Sequence, residues 1–157
     1  MSVSWSASAA NTRTAADGDE VVRAVGVLGL VAVAVLHLVQ ISDTFDESRS
    51  LAIAFVLLSV ASLVLAVQLL RRATPAVWLA VAFLNGLIMA GYVFTRVAST
   101  GFDDGDVGNW SEALGVASLV IEGLLILLSV YAIVELSRRS SARTDRQHRE
   151  FRAPASL

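Results

Sequence analysis

The sequence predicts an all-α fold, a four-helix transmembrane bundle whose N and C termini both lie in the cytoplasm. Three observations predict it. The 157 residues are 55% hydrophobic and 17% charged, with a mean hydropathy of +0.67, which leaves too few charges for the surface of a soluble domain. Four predominantly apolar runs each reach about 20 residues, the length that crosses a hydrocarbon core about 30 Å thick. The arginines are concentrated on one side of those runs.

The four spans are predicted at residues 22–42, 50–70, 76–96 and 112–136, within a transmembrane domain that covers 21–137. Each run is apolar all round rather than striped, unlike the amphipathic helices of soluble bundles. Charged and turn-forming residues separate the runs. Thr74 is expected to cap the third span, with Pro75 at its first helical position.

The two ends of the chain differ in composition from the spans. Residues 1–20 are rich in Ser, Ala and Thr and are predicted to be disordered. Residues 138–157 form an arginine-rich tail that is predicted to be cytoplasmic. Near a membrane surface this tail is expected to attract anionic lipid headgroups, at about 1 kcal/mol per Arg. The alternative is that its arginines only enforce the orientation of the chain.

Arginine placement predicts the orientation. Ten of the twelve arginines lie at or before the start of the first span, between the second and third spans, or after the fourth. Arg49 and Arg96 are the other two. The positive-inside rule puts the larger group in the cytoplasm, which predicts a multi-pass protein of the bacterial cytoplasmic membrane. Trp78 and Trp110 are then expected at the inner and outer membrane interfaces.

Glu122 is the most informative polar residue, because a charged side chain at the centre of a span costs about 2.5–3.5 kcal/mol. It lies about eleven residues, or roughly 16 Å, from the outer end of the fourth span. Glu122 is therefore expected to face the bundle interior. Asn85 lies at matching depth in the third span, on one helical face with Tyr92 and Arg96, and is expected to hydrogen-bond with Glu122.

A second group of polar residues lies in the outer half of the first span. His37 is followed one turn outward by Gln40, with Asp43 at the mouth. These residues and Glu122 with Asn85 predict a descending polar track from the outer surface, flanked by Tyr92 and Arg96. His37, Asp43 and Glu122 are a competent ligand set for a metal ion and also a possible proton relay. The alternative is that such side chains serve only as hydrogen-bond glue between helices.

Other chemistries find little support. There is no cysteine, which excludes disulfides, thiolate metal sites and thiol catalysis. No nucleophile motif, zinc-protease motif, P-loop or dinucleotide fingerprint is present, so no catalytic residue is predicted. The sequence requires no cofactor, although His37 with Met89, or two copies of His37 in a dimer, are chemically able to ligate haem. A net charge of −2 predicts no nucleic-acid partner.

The stretch from His37 to Phe45, His-Leu-Val-Gln-Ile-Ser-Asp-Thr-Phe, and the later Ser118-Leu-Val-Ile-Glu122-Gly123 resemble small four-helix bacterial membrane proteins of no assigned activity. The resemblance covers the four spans and neither tail. It implies the same topology and favours His37, Asp43 and Glu122 as residues of interest.

These observations predict a small polytopic membrane protein that acts as a non-catalytic accessory or interaction subunit. The first alternative is a metal-binding or proton-relay protein that uses His37, Asp43 and Glu122 from the outer side. The second is a haem or quinone redox subunit. Four short helices make a thin bundle, so the partners expected are the bilayer and either further copies of the chain or a larger membrane complex.

Overall fold

A computed structural model describes residues 4–98, 107–108, 110–111 and 113–152; the side chains of 4–17, 42–47, 143 and 146–152 lie outside the described set. The described residues form four α-helices and no strand. The helices are α1 (Ser4–Glu47), α2 (Arg49–Arg71), α3 (Pro75–Val97) and α4 (Ala113–Arg152). All four are long and apolar enough to cross a membrane. The all-α class and the predicted number of helices are confirmed for the described residues.

The ends of α2 and α3 lie within one residue of the predicted ends, because local turn chemistry sets them. The Thr74 hydroxyl accepts a hydrogen bond from the Val77 backbone N–H at 3.3 Å, and Pro75 is the first helical residue. At the end of α2, the Arg72 N–H donates to the Gln68 carbonyl at 2.7 Å. The predicted N-cap is confirmed.

The first and last helices, α1 and α4, extend well beyond their apolar parts. The membrane-compatible part of α1 is Gly18–Ile41, and that of α4 is Ala113–Ala142. The helical backbone of α1 continues back to Ser4, through the segment for which the composition predicts disorder. The helical backbone of α4 likewise continues to Arg152, through most of the arginine-rich tail.

The helices form a closed ring in chain order. The most extensive packing joins α1 to α2 and α3 to α4, while smaller contacts between α1 and α4 and between α2 and α3 close the ring. Only Ser48 separates α1 from α2, and 72–74 separate α2 from α3. Connections this short force neighbouring helices to be antiparallel.

Three glycines receive side chains from neighbouring helices. A Cβ added at Gly26 would lie 2.7 Å from the Trp78 ring and 3.2 Å from Leu69. A Cβ at Gly29 would lie 2.7 Å from Leu125, and one at Gly115 would lie 2.5 Å from the Tyr92 ring. Small residues at helix interfaces permit such contacts because the bilayer provides no hydrophobic drive between helices.

Trp78 does not face the lipid as an interfacial tryptophan would. Its side chain is 2% exposed and fills the space beside Gly26 within the bundle, because only a residue without a side chain leaves room there for an indole. Trp110 is half exposed and meets the Tyr92 ring edge-on, with centroids 6.4 Å apart.

The exterior of the bundle is more apolar than that of a soluble protein. Large apolar side chains point outward, with Leu28, Phe83 and Leu127 each more than 65% exposed. The interior combines an apolar core with buried polar side chains such as Asn85 and Glu122. Such an apolar exterior suits a hydrocarbon solvent and is compatible with a membrane protein.

Candidate functional site

Polar side chains are gathered inside the bundle. Among the described residues, those with buried polar or charged side chains are His37, Ser59, Ser62, Asn85, Arg96, Ser118, Glu122 and Ser129. Ser62, Asn85 and Glu122 have no exposed surface at all. Burying polar groups in a bilayer is costly unless they are bonded, so the partners of each atom decide what this interior does.

The contact between Tyr92 and Gly115 places Asn85 opposite Glu122. Asn85 precedes Tyr92 by seven residues in α3, and Glu122 follows Gly115 by seven in the antiparallel α4. Seven residues are nearly two helical turns, so each residue keeps the same face and moves about 10 Å in the same direction across the membrane. We infer that Asn85 and Glu122 face each other at one depth, as the sequence predicts.

The same reasoning brings Ser62 to this depth. Leu69 of α2 and Trp78 of α3 both contact the position of Gly26. Ser62 precedes Leu69 by seven residues, and Asn85 follows Trp78 by seven. Because α2 and α3 are antiparallel, both steps lead about 10 Å along the same interface toward the end of the bundle where α1 connects to α2. We call this the outer end, after the predicted orientation. We call Ser62, Asn85 and Glu122 the polar triad.

Hydrogen bonds leave one oxygen of each triad residue unused. The Ser118 hydroxyl donates to Glu122 Oε1 at 2.5 Å, and Asn85 Nδ2 donates to the Val81 carbonyl at 2.8 Å. Glu122 Oε2, Asn85 Oδ1 and Ser62 Oγ are buried without a hydrogen-bond partner among the described residues. The expected Asn85–Glu122 hydrogen bond is not formed; the bonds that these two side chains make lie within their own helices.

His37 lies outward of the triad. Gly29 of α1 contacts Leu125 of α4, so the two lie at one depth. His37 follows Gly29 and lies about 12 Å outward of it, whereas Glu122 precedes Leu125 and lies about 4.5 Å outward of it. His37 is therefore about 7.5 Å further out than Glu122. His37 is 4% exposed, and its Nδ1 donates to the Val33 carbonyl at 2.9 Å. The ring of His37 packs edge-on against Phe55. With Nδ1 donating, Nε2 carries the lone pair of a neutral ring.

Gln40, Tyr92 and Arg96 lie nearer the outer end. Gln40 is half-buried and donates from Nε2 to the Leu36 carbonyl at 3.3 Å. The Arg96 guanidinium is buried and lies 4.6 Å from the centre of the Tyr92 ring, a cation–π contact. The Arg96 carbonyl accepts from the Gly108 N–H at 3.0 Å, at a positive φ of 82° that suits glycine. These contacts close the outer end of the bundle beside α3.

Only two of the three predicted metal ligands, His37 and Glu122, have side chains that the structure describes. Asp43 belongs to residues 42–47, whose side chains lie outside the described set. Among the side chains that are described, no group of three His, Asp or Glu residues is close enough to hold a metal ion. His37 and Glu122 are both buried but differ in depth, so a shared site with Asp43 stays a prediction.

Two serines of α2 belong to this interior and were not expected there. Ser59 donates to the Phe55 carbonyl of its own helix at 2.8 Å and to the Ala34 carbonyl of α1 at 3.2 Å. Ser62 completes the triad. Ser59, Ser62, Ala66 and Leu69 repeat at intervals of three and four, a spacing that identifies the buried face of α2 in retrospect.

Comparisons with protein-family models, with curated proteins and with solved structures find no match to this chain.

Proposed function

We propose that this chain is a non-catalytic, multi-pass subunit of the bacterial cytoplasmic membrane, with both termini in the cytoplasm. Its Glu122 takes up a proton from the outer side through His37. The observation that carries the proposal is the hydrogen-bonding of the buried polar groups, which differs from that of interhelical glue.

Glue requires hydrogen bonds between helices. Of the buried residues His37, Ser59, Ser62, Asn85, Ser118, Glu122 and Ser129, only Ser59 donates to a neighbouring helix. The others bond within their own helix or, in Ser62, not at all. These side chains therefore hold the helices together weakly, while Glu122 remains buried with one oxygen available. A buried carboxyl that packing does not require is by default a functional group.

The route is expected to run through the outer half of the bundle. Gln40, His37 and Ser118 follow one another inward, and the Ser118 hydroxyl ends on Glu122 Oε1. Hydroxyl and imidazole groups exchange protons readily, and the predicted Asp43 would stand at the mouth.

Below the triad the described core is mostly apolar, with Leu30, Leu69, Trp78, Val81 and Leu125. Ser129 lies in this half, but its hydroxyl donates to the Leu125 carbonyl at 2.7 Å. Protons are therefore expected to reach Glu122 from outside and to return the same way. Such a group follows the outer pH and reports it to a membrane partner, rather than conducting protons across the membrane.

Infrared difference spectroscopy of the full chain in lipid tests the proposal. A carboxyl C=O band that appears when the outer pH is lowered should be lost in Glu122→Gln, and deuterium should exchange into it more slowly in His37→Phe. Ser129→Ala should leave both properties unchanged, because Ser129 bonds to its own helix away from the route. Persistence of the band in Glu122→Gln, or unchanged exchange in His37→Phe, would overturn the proposal.

A further inference from the structure

Three oxygen atoms of the polar triad are buried without a hydrogen-bond partner among the described residues. Its unused atoms are a carboxylate oxygen, an amide oxygen and a hydroxyl oxygen, from three different helices. Each side chain is fully buried. Oxygen-only sets of this kind suit hard cations, whereas transition metals favour imidazole and thiolate.

The charge of the set is one negative at most. Arg96 follows Asn85 by eleven residues, which places its backbone about 16 Å further out, so no arginine of α3 lies beside Glu122. His37 is about 7.5 Å further out. An ionised Glu122 therefore needs a single positive charge from outside the protein, because an uncompensated charge is costly at this depth.

We propose that Ser62, Asn85 and Glu122 bind a monovalent alkali cation of the sodium class, which competes with the proton for Glu122. A monovalent ion makes the site neutral, whereas a divalent ion would leave a net positive charge in the hydrocarbon core. Val33 of α1, about one turn outward of Gly29, is also fully buried. The inference rests on the proposed function in one respect, since Glu122 must be able to release its proton.

Thermal unfolding of the purified full chain in detergent tests the site. Sodium chloride should raise the Tm relative to choline chloride at equal ionic strength, because a ligand of the folded state stabilises it. The increase should be lost in Glu122→Gln and reduced in Ser62→Ala. Once the pH is low enough that Glu122 is mostly protonated, each further decrease of one pH unit should raise the half-saturating sodium concentration about tenfold, because one proton competes with one sodium ion.

Ser59→Ala is the matched control. Ser59 is buried one turn from Ser62, but its hydroxyl is already bonded to Phe55 and Ala34, so the sodium response should persist without it. Circular dichroism of each variant checks that the helices form. No sodium-specific increase in Tm, or an equal increase in wild type, Ser62→Ala and Glu122→Gln, would overturn the cation site.

The two proposals fail separately. A protonated-carboxyl band without a sodium response would remove the cation site and leave the proposed proton uptake intact. A sodium response without any pH-dependent carboxyl band would support sodium binding at the triad, but it would overturn both the proposed function and the competition between sodium and the proton.

Discussion

At the scale of single residues, glycines decide where the helices touch. Gly26 packs against the Trp78 ring, Gly29 against Leu125 and Gly115 against the Tyr92 ring. Each contact is too close to leave room for a Cβ atom. By contrast, nothing lies within 4 Å of a Cβ added at Gly86. Glycines of different helices in this bundle therefore have very different packing constraints.

Gly26→Ala is expected to destabilise the bundle by about 1–3 kcal/mol, because the new methyl group overlaps a buried and closely packed indole. Gly86→Ala should be neutral or stabilise α3 by up to about 1 kcal/mol, the difference in helix propensity. Unfolding of both variants in detergent, followed by loss of helical ellipticity, measures this. Equal stability of the two variants would contradict the tight contact at Gly26.

At the scale of the helix, one contact determines which residues face the neighbouring helix two turns away. The Tyr92–Gly115 contact fixes the rotation of α3 against α4. Residues seven positions further along lie on the same helical face, because seven residues are nearly two turns. Ion pairs between helices contribute less to the stability of the bundle than these packing contacts. Arg139 bonds to Glu135 at 2.9 Å and to Asp19 of α1, but all three groups are partly exposed, where salt bridges stabilise little.

The double variant Asn85→Cys with Glu122→Cys should form an α3–α4 disulfide on mild oxidation, since the two positions face each other. The natural chain contains no cysteine, so any cross-link is attributable to the introduced pair. Leu87→Cys with Glu122→Cys is the control, because Leu87 is 55% exposed and points away from the interface. Gel mobility without reductant measures the result, and equal cross-linking of both pairs would refute the assigned rotation.

At the scale of the whole molecule, large apolar side chains over the exterior of the described bundle indicate a membrane solvent. The arrangement of the helices does not reveal which end is cytoplasmic, because a bundle packs identically in either orientation. The proposed orientation rests on the ten arginines at one end and two at the other.

Single cysteines test that orientation. Ser111→Cys, in the connection before α4, should react with a membrane-impermeant maleimide in intact cells. Ala76→Cys, in the first turn of α3, should react only after the membrane is permeabilised. Both side chains are exposed in the folded chain, so access to the reagent is limited by the bilayer alone. The opposite labelling pattern would reverse the proposed topology and place the His37 route on the cytoplasmic side.

The sequence alone determined the number of helices, the ends of α2 and α3, the Thr74 cap and the shared depth of Asn85 and Glu122. Apolar length, turn chemistry and helical rise are local properties, and they act the same way in any arrangement of the helices. Burial of Glu122 followed for the same reason, because a carboxyl group in the middle of a span must avoid lipid.

Only the tertiary structure decided that Trp78 lies inside the bundle, that Ser62 joins Asn85 and Glu122, and that Asn85 bonds to Val81 rather than to Glu122. All three depend on how each helix is rotated about its axis. On helices that are apolar all round, no hydrophobic stripe encodes that rotation. It is set instead by which large side chain fits against which glycine on another helix.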